Sequence, residues 1–299
     1  MDLANRFAEK AKLVNIQPIP GGIEFNVFRA STDDGHDVVL RIPQFRIFQN
    51  ANDPNNDAKD LVHQELEIYK LLEDGPVPVP KAHGYYEVDD YPAMVSRFVP
   101  DDGSEVEDSE LGRIAALIHS TLVPSDWGIK LVANESTDAI QSLVQRMTRR
   151  FKTLSSFRPT TEAHIISRET LATISQTLYR MPKCLLHLDL RGDNLRVVDG
   201  KVVAVIDWTN ALIGPAAIDL YRTIELEKPG RQFLESYNNV MPAPELTEME
   251  ELFLRLDAAL MLSLVFYSEA PDLELQKVWG DRVEELSLNL QAAFNSSTA

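Results

Sequence analysis

Two apolar, strand-like runs enclose a polar loop with His187, Asp189 and Asn194, and the second run ends at Asp207. A carboxylate can position an attacking hydroxyl group, and carboxylate and amide oxygens are hard donors that suit Mg²⁺ bound to phosphates. Asp189 fits the first task as catalytic base, and Asn194 and Asp207 fit the second as metal ligands. The residue types and their spacing therefore indicate magnesium-dependent phosphoryl transfer from a nucleoside triphosphate.

The stretch between Asn194 and Asp207 predicts a β-hairpin that would bring these two side chains together. Asp199-Gly200 is a turn dipeptide, and β-branched residues flank it on both sides. The two ends of a hairpin lie side by side, so residues that are distant in the chain become neighbours. His187, at the start of the loop, is expected to brace it by hydrogen bonding rather than to transfer a proton.

The order of motifs in this segment resembles the catalytic core of the aminoglycoside phosphotransferase and choline kinase family. The motifs are His187-x-Asp189-Leu190-x-x-x-Asn194, Ile206-Asp207-Trp208 and Gly214-Pro215-x-x-x-Asp219-Leu220. The resemblance implies a two-lobed, protein-kinase-like α+β fold with a small N-terminal antiparallel-sheet lobe and a larger, mostly helical C-terminal lobe. It also implies ATP, favoured over GTP, as the phosphoryl donor, Mg²⁺ as the metal, and a bond from Asp219 back to the catalytic loop.

Three positions depart from the pattern of the family or of the protein kinases. Leu188 stands where the family usually has glycine, and Arg191 stands where it often has histidine or lysine. Arg191 could stabilise charge on the transferred phosphoryl group. Arg41 lies in a strand position that resembles the one where protein kinases use lysine to contact the α- and β-phosphates; arginine can hold phosphate bidentately but is not interchangeable with lysine.

The N-terminal part carries the expected nucleotide-binding residues. Gly21 and Gly22 form a turn between two extended pieces, the second of which includes Asn26, and backbone N–H groups there could approach phosphates. Glu65 lies on the apolar face of the next helix, where pairing with Arg41 would remove the cost of burying its charge. Glu67 is the alternative partner of Arg41 if Glu67, rather than Glu65, lies on the helix face that is turned towards the strand.

A later strand resembles the hinge that contacts the nucleotide base. Ser96 and Phe98 would offer backbone groups, and Met94 is either the floor of the base pocket or an ordinary core residue. The acidic segment 101–110 is predicted to be a flexible boundary between a nucleotide-binding lobe, residues 1–100, and a catalytic and acceptor-binding lobe, residues 101–299.

The acceptor pocket is expected to lie among the C-terminal helices. Trp208, Glu225, Tyr267 and Glu269 are candidate lining residues, although a core or surface role is open for each of them. A helix over residues 139–154 carries basic residues away from its apolar stripe: Arg146, Arg149, Arg150 and Lys152. This basic cluster is predicted to be solvated surface, with attraction of an anionic substrate as the alternative, and His119 is predicted to be structural.

Composition narrows the range of partners. The 299 residues carry a net charge of −17, which argues against nucleic acid and mildly favours a cationic acceptor, such as an amino alcohol or amino sugar. The N-terminus has no signal-peptide pattern, and charges interrupt the most apolar stretch, 252–267, so a cytoplasmic protein without a membrane segment is expected. The prediction is a small-molecule kinase of undetermined oligomeric state; the alternative is a kinase-fold protein that has lost transfer activity and binds or regulates.

Overall fold

The computed structural model describes residues 3–52, 54–134 and 138–298 of the chain. The strands, in chain order, are β1 (Leu13–Ile19), β2 (Phe25–Thr32), β3 (Asp37–Pro43), β4 (Ile47–Gln49), β5 (Pro54–Asp57), β6 (Ala82–Val88), β7 (Tyr91–Arg97), β8 (Lys183–Leu186), β9 (Leu195–Val198), β10 (Lys201–Val205) and β11 (Leu212–Pro215). The α-helices are α1 (Leu3–Ala11), α2 (Ala58–Leu72), α3 (Asp108–His119), α4 (Ala139–Phe157), α5 (Arg168–Ile174), α6 (Ala216–Glu227), α7 (Arg231–Asn238), α8 (Glu248–Leu264) and α9 (Leu273–Thr298). The described part of the chain thus places its larger sheet first and most of its helices afterwards.

The N-terminal part is built around a five-stranded antiparallel sheet in the order β1-β2-β3-β7-β6. Successive side chains of a strand point to opposite faces, and β3 follows this rule: Val38 and Leu40 are fully buried in the core, whereas Val39 and Arg41 line a cleft on the other face. Helix α2 packs its apolar stripe close to the sheet. Asp57 caps its first turn by accepting a hydrogen bond from the N–H of Lys59.

The C-terminal part is mostly helical. The sequence predicts one helix from about residue 162 to 179, but Pro159 begins a short 3₁₀ segment and Ser167 then caps α5 separately. The sequence also predicts a disordered tail over residues 295–299, but α9 continues to Thr298. No helix among the described residues has both the length and the apolar character that crossing a membrane requires.

Two hairpins position the site. The predicted one forms from β9 and β10, with Leu195 opposite Val205. The polar composition of residues 44–59 predicts a mobile loop, but β4 and β5 pair there as a second hairpin. It reaches the helical part, because the Asn52 side chain between its strands donates to the carbonyl oxygen of Met261 at 3.1 Å.

The acidic segment at the expected lobe boundary is held in place rather than flexible where it meets the β9–β10 hairpin. The N–H of Asp102 donates to the carbonyl oxygen of Val197 at 3.0 Å, and the Asp102 carboxylate accepts from the N–H of Asp199 at 2.8 Å. The segment therefore fastens the end of the sheet region to the hairpin that carries the candidate metal ligands.

Candidate active site

A cleft of about 770 Å³ lies between the sheet and the helices. Residues of the sheet region line one end, including Gly21, Gly22, Arg41, Ser96 and Phe98. Residues of α4, α6 and α8 and of the π-helical turn that follows α8 line the other end, and among them are Arg146, Arg150, Arg222, Met261 and Glu269. Asp189, Asn194 and Asp207 line the same cleft, so the structure brings the three candidate catalytic and metal-binding residues into one cavity.

The loop after β8 holds the Asp189 carboxylate in one orientation. The Asn194 side-chain amide donates to the Asp189 carboxylate at 2.7 Å and to its carbonyl oxygen at 2.8 Å. Nε of Arg191 lies 3.2 Å from the other carboxylate oxygen, and the guanidinium group also lies 3.1 Å from the exposed Asp193. Burial raises the pKa of Asp189, and the nearby Arg191 opposes that effect without cancelling it.

His187 braces this loop, as the sequence predicted. Its Nε2 lies 3.0 Å from the carbonyl oxygen of Ile206, and its Nδ1 accepts from the N–H of Asp189 at 3.2 Å, which places the ring proton on Nε2. Asp219 accepts from the N–H groups of His187, at 2.7 Å, and Leu188, at 2.9 Å. The predicted bond from Asp219 back to the loop is therefore present, and His119 supports it from the far side with Nε2 at 3.1 Å from Asp219.

Leu188 adopts a backbone conformation that favours glycine. Its φ is +62°, in the left-handed region, while its side chain is only 2% exposed within the core. A side chain in that region costs about 1–2 kcal/mol per residue, and burial of the leucine offsets this cost. The departure from the family's glycine is thus accommodated by packing.

The positive φ of Leu188 predicts that a glycine variant is more stable than an alanine variant at this position. Both Leu188→Ala and Leu188→Gly lose the buried side chain, but only glycine relieves the backbone strain. We expect Leu188→Gly to be more stable than Leu188→Ala by about 1 kcal/mol in chemical denaturation. An alanine variant as stable as the glycine variant would show that φ at this position is not strained.

Arg41 connects the sheet to the candidate metal ligand Asp207. The predicted ion pair with Glu65 forms, and Nη2 of Arg41 lies 3.3 Å from the Asp207 carboxylate. Glu65 also accepts from the hydroxyl group of Tyr69 at 2.9 Å and from the N–H of Asp207 at 3.2 Å. Burial alone would raise the pKa of Asp207. The charge of Arg41 and the hydroxyl group of Thr209 more than offset this effect, so the pKa lies below its ordinary value and the carboxylate stays ionised.

Asn194 and Asp207 are held next to each other by the hairpin. The N–H of Ile206 donates to the carbonyl oxygen of Asn194 at 2.9 Å, and Asp207 follows directly. Two oxygen-bearing side chains suit Mg²⁺, which takes one or two protein carboxylates and completes its shell with phosphates and water. Among the described residues, no group of three or more His, Cys, Asp or Glu side chains is placed to hold a metal.

The glycine turn lies between β1 and β2 at the sheet end of the cleft. A Cβ atom on Gly21 would lie 2.8 Å from the carbonyl oxygen of Phe25 and 2.8 Å from Val27, so only glycine fits there. Gly22 is exposed and has open space beside it. Backbone at this turn can thus approach a ligand without side chains intervening, as expected.

Two of the predicted nucleotide contacts are corrected by the structure. Met94 is 1% exposed and packs in the core with Val62 and Tyr69, so it does not form the floor of the cleft. Asn26 is an exposed residue of β2, opposite Ile42, and lies outside the set of described residues that line the cleft. Because β2 alternates, the cleft is lined instead by Phe25 and Val27.

The two predicted hinge residues lie at the cleft, but two backbone N–H groups there already donate hydrogen bonds within the sheet region. Ser96 and Phe98 both line the cleft. The N–H of Phe98 donates to the carbonyl oxygen of Asp37 at 2.9 Å, and the N–H of Arg97 donates to that of Lys81 at 2.8 Å. The hinge can therefore offer carbonyl oxygens and the Ser96 side chain to a ligand, but not these two N–H groups.

Of the four candidate acceptor contacts, only Glu269 lines the cleft; it accepts a hydrogen bond from the Asn52 side chain at 2.9 Å. Trp208 is fully buried and packs against the His187 ring at 4.5 Å. Glu225 is 2% exposed and bridges Arg255 and Arg282. Tyr267 stacks on Phe157 at 5.5 Å, outside the cleft.

Sequence reasoning missed the arginines at the helical end of the cleft. Arg146 and Arg150 were predicted to be solvated surface, yet their exposures are 8% and 1%. Arg222, which is 5% exposed, was not among the predicted site residues. Its position one turn after the buried Asp219 on α6 was a usable signal, because residues three apart share a helix face.

A model of a known protein family matches most of the sequence. The model of the phosphotransferase enzyme family, known as APH, matches residues 15–252, which is more than half of the chain. No curated protein matches the sequence.

Solved structures with the same fold cover nearly the whole chain. Macrolide 2′-phosphotransferase MphH from Brachybacterium faecium has a TM-score of 0.59 at 16% identity, over 93% of this chain and 97% of that one. The streptomycin-ATP-APH(2″)-IIa ternary complex has a TM-score of 0.59 at 14% identity, over 96% and 98%. Spectinomycin phosphotransferase APH(9)-Ia, in complex with ADP and spectinomycin, has a TM-score of 0.59 at 13% identity, over 96% and 98%. These likenesses establish the two-lobed, protein-kinase-like fold.

Proposed function

Because the chain belongs to the phosphotransferase enzyme family, we propose that it transfers the γ-phosphoryl group of ATP to a hydroxyl group of a small molecule. The observation that carries this proposal is the convergence of Asp189, Asn194 and Asp207 on one cleft. A pure binding protein has no need of a partly exposed carboxylate with a raised pKa beside two oxygen donors for a metal. The alternative of a lapsed kinase is therefore the weaker one.

In this mechanism, residues of the chain position the two reactants and stabilise charge on them, and they form no covalent bond to either one. Asp189, held by Asn194 and Arg191, accepts a hydrogen bond from the acceptor hydroxyl group and takes its proton as the new oxygen–phosphorus bond forms. The bond between the γ-phosphorus and the β,γ-bridging oxygen breaks in the same step, and ADP leaves. Arg191, whose guanidinium group is 40% exposed beside Asp189, is placed to face charge on the transferred group. Asn194 and Asp207 would hold Mg²⁺, which would neutralise charge on the phosphates.

The sheet region, residues 1–100, is proposed as the nucleotide-binding lobe and residues 101–299 as the catalytic and acceptor-binding lobe. Arg41, fixed by Glu65, provides a cation for the phosphates, and the turn at Gly21 and Gly22 provides backbone at the same end of the cleft. A planar guanidinium group suits this task because it can hold phosphate oxygens bidentately. Ser96 and Phe98 are the proposed neighbours of the base.

The deciding measurement is calorimetric titration with Mg-ATP. We expect the native protein to bind it and Asp207→Ala to bind at least about 10-fold more weakly, because even indirect partners of a metal change its affinity by about 10–100-fold. Asp126→Ala, which removes the same charge from an exposed position, should bind like the native protein. Native protein that binds no nucleotide with Mg²⁺ or Mn²⁺ would refute the proposed function.

A further inference from the structure

We propose that Gln64 of α2 is a positioning residue for the candidate metal ligand Asp207. This inference rests on the proposed function and adds to it a residue that the sequence motifs do not indicate. Gln64 is fully buried and is not among the described residues that line the cleft. It can therefore act on the reaction only through the groups that it holds in place.

The Gln64 side chain joins three separate parts of the chain. Its Nε2 donates to the carbonyl oxygens of Trp208, at 2.6 Å, and Thr209, at 3.0 Å, which directly follow Asp207. Its Oε1 accepts from the N–H of Val132, in a short 3₁₀ segment of the helical part, at 2.8 Å. Because the nitrogen contacts two acceptors and the oxygen contacts a donor, these bonds fit one orientation of the amide. Helix α2 is thereby bonded to residues 207–209 and to the helical part at once.

The segment that Gln64 holds lies outside regular structure. Residues 206–211 connect β10 to β11 and belong to neither strand. Trp208 and Thr209 are at most 8% exposed, and buried carbonyl groups without sheet partners need other donors. The N–H of Ala211 donates to the carbonyl oxygen of Trp208 at 3.1 Å, which closes a turn, and the Gln64 amide bonds this turn to α2.

Asp207 has a backbone conformation that requires such support. Its φ is +63°, in the left-handed region that side chains disfavour. A residue keeps a conformation of this kind only where the surrounding structure fixes it from several sides. The N–H of Asp207 donates to Glu65 at 3.2 Å, and the next two carbonyl groups accept from Gln64. Two consecutive residues of α2 therefore hold three consecutive residues of the metal-binding segment.

This arrangement lets α2 set the metal ligand relative to the phosphate cation. Glu65 pairs with Arg41 and also accepts from the N–H of Asp207. It can contact both only while α2 stays close to residues 207–209, and the Gln64 amide maintains that approach. Arg41 and the glycine turn belong to the sheet region and do not depend on these bonds. We therefore expect loss of the amide to weaken the metal-dependent part of nucleotide binding and to spare the metal-independent part.

The test compares nucleotide binding with and without the metal. A non-hydrolysable ATP analogue is titrated calorimetrically into each protein in EDTA and again in saturating Mg²⁺, and the ratio of the two affinities is the metal enhancement. Gln64→Met keeps a side chain of similar length but lacks the amide. We expect it to lower the metal enhancement about 10-fold, as indirect partners of a metal do, and to leave the affinity in EDTA unchanged.

A second variant and a control separate positioning from lost stability. Gln64→Glu can still accept from the N–H of Val132 but lacks the two N–H donors, so it should also lower the metal enhancement. Val283→Ala truncates a fully buried residue of α9 and should lower the unfolding midpoint while keeping the native enhancement. Each enhancement is a ratio measured on one folded protein, so lost stability by itself does not change it.

The outcomes separate this inference from the proposed function. A native enhancement in Gln64→Met, equal losses of affinity with and without Mg²⁺, or the same reduction in Val283→Ala would each overturn the positioning role while the proposed function stands. Native protein whose binding of the analogue is not strengthened by Mg²⁺ would remove Asp207 as a metal ligand, and this inference would fall with it. The first kind of failure is seen in the variants and the second in the native protein.

Discussion

Replacement of Asp189 by asparagine is expected to lower turnover by roughly 10²–10⁴-fold and to leave the affinity for Mg-ATP nearly unchanged. Asparagine has almost the same shape and can still accept the hydrogen bond that Asn194 donates to the carboxylate. It cannot accept the proton of the acceptor hydroxyl group. The loss therefore falls on the chemical step and not on the binding of the nucleotide.

The measurement is single-turnover transfer, or slow ATP hydrolysis where no acceptor is yet known, together with calorimetric titration of Mg-ATP. Asp193→Asn is the matched control, since its side chain is 80% exposed in the same loop and contacts the same Arg191. Equal turnover in native protein and Asp189→Asn would remove Asp189 from the reaction.

The pH dependence gives the same prediction a second readout. A base must be ionised, so turnover falls as the pH drops through its pKa in the folded protein. Because burial raises the pKa of Asp189, we expect the acid limb of the native pH profile to lie above 3.8, the ordinary value for aspartate. Asp189→Asn should lack this limb.

The loop that carries Asp189 and Asn194 could be predicted from the sequence, because the residues that shape it are close together in the chain. A turn dipeptide between β-branched residues determines the hairpin, and the hairpin brings Asn194 beside Asp207. The pairing of Arg41 with Glu65 was also accessible, since a carboxylate on the apolar face of a helix demands a cation and the preceding strand contains one. In both cases, the residue types in the sequence were enough to indicate which two side chains lie together.

The helical end of the cleft could not be predicted, because burial there depends on residues that are far apart in the chain. Periodicity counts every arginine as polar, so Arg150 was assigned to the surface, whereas its partner Asp257 lies 107 positions later. The same limit applies to Trp208 and Glu225, which follow the catalytic motif closely but point into the core. Proximity in sequence to a catalytic residue says little about which way a side chain faces.

Substitution of Asp257 by alanine is expected to reduce the free energy of unfolding by about 3–5 kcal/mol. The carboxylate is the shared partner of Arg150 and Arg222, and the side chains of all three are at most 6% exposed. Its removal leaves two buried guanidinium groups without that counter-charge. Urea denaturation measures the change, and Glu248→Ala, at an exposed position of the same helix, should cost no more than about 0.5 kcal/mol.

A double substitution distinguishes this electrostatic cause from the loss of packing. If lost charge pairing causes the destabilisation, Arg150→Met should cost less in the Asp257→Ala background than in the native protein, because it then removes a guanidinium group that has already lost the Asp257 carboxylate. If lost packing is the cause, the two substitutions should add, since each leaves its own cavity. A favourable coupling energy would establish that α4, α6 and α8 are joined at the helical end of the cleft by the charge of Asp257.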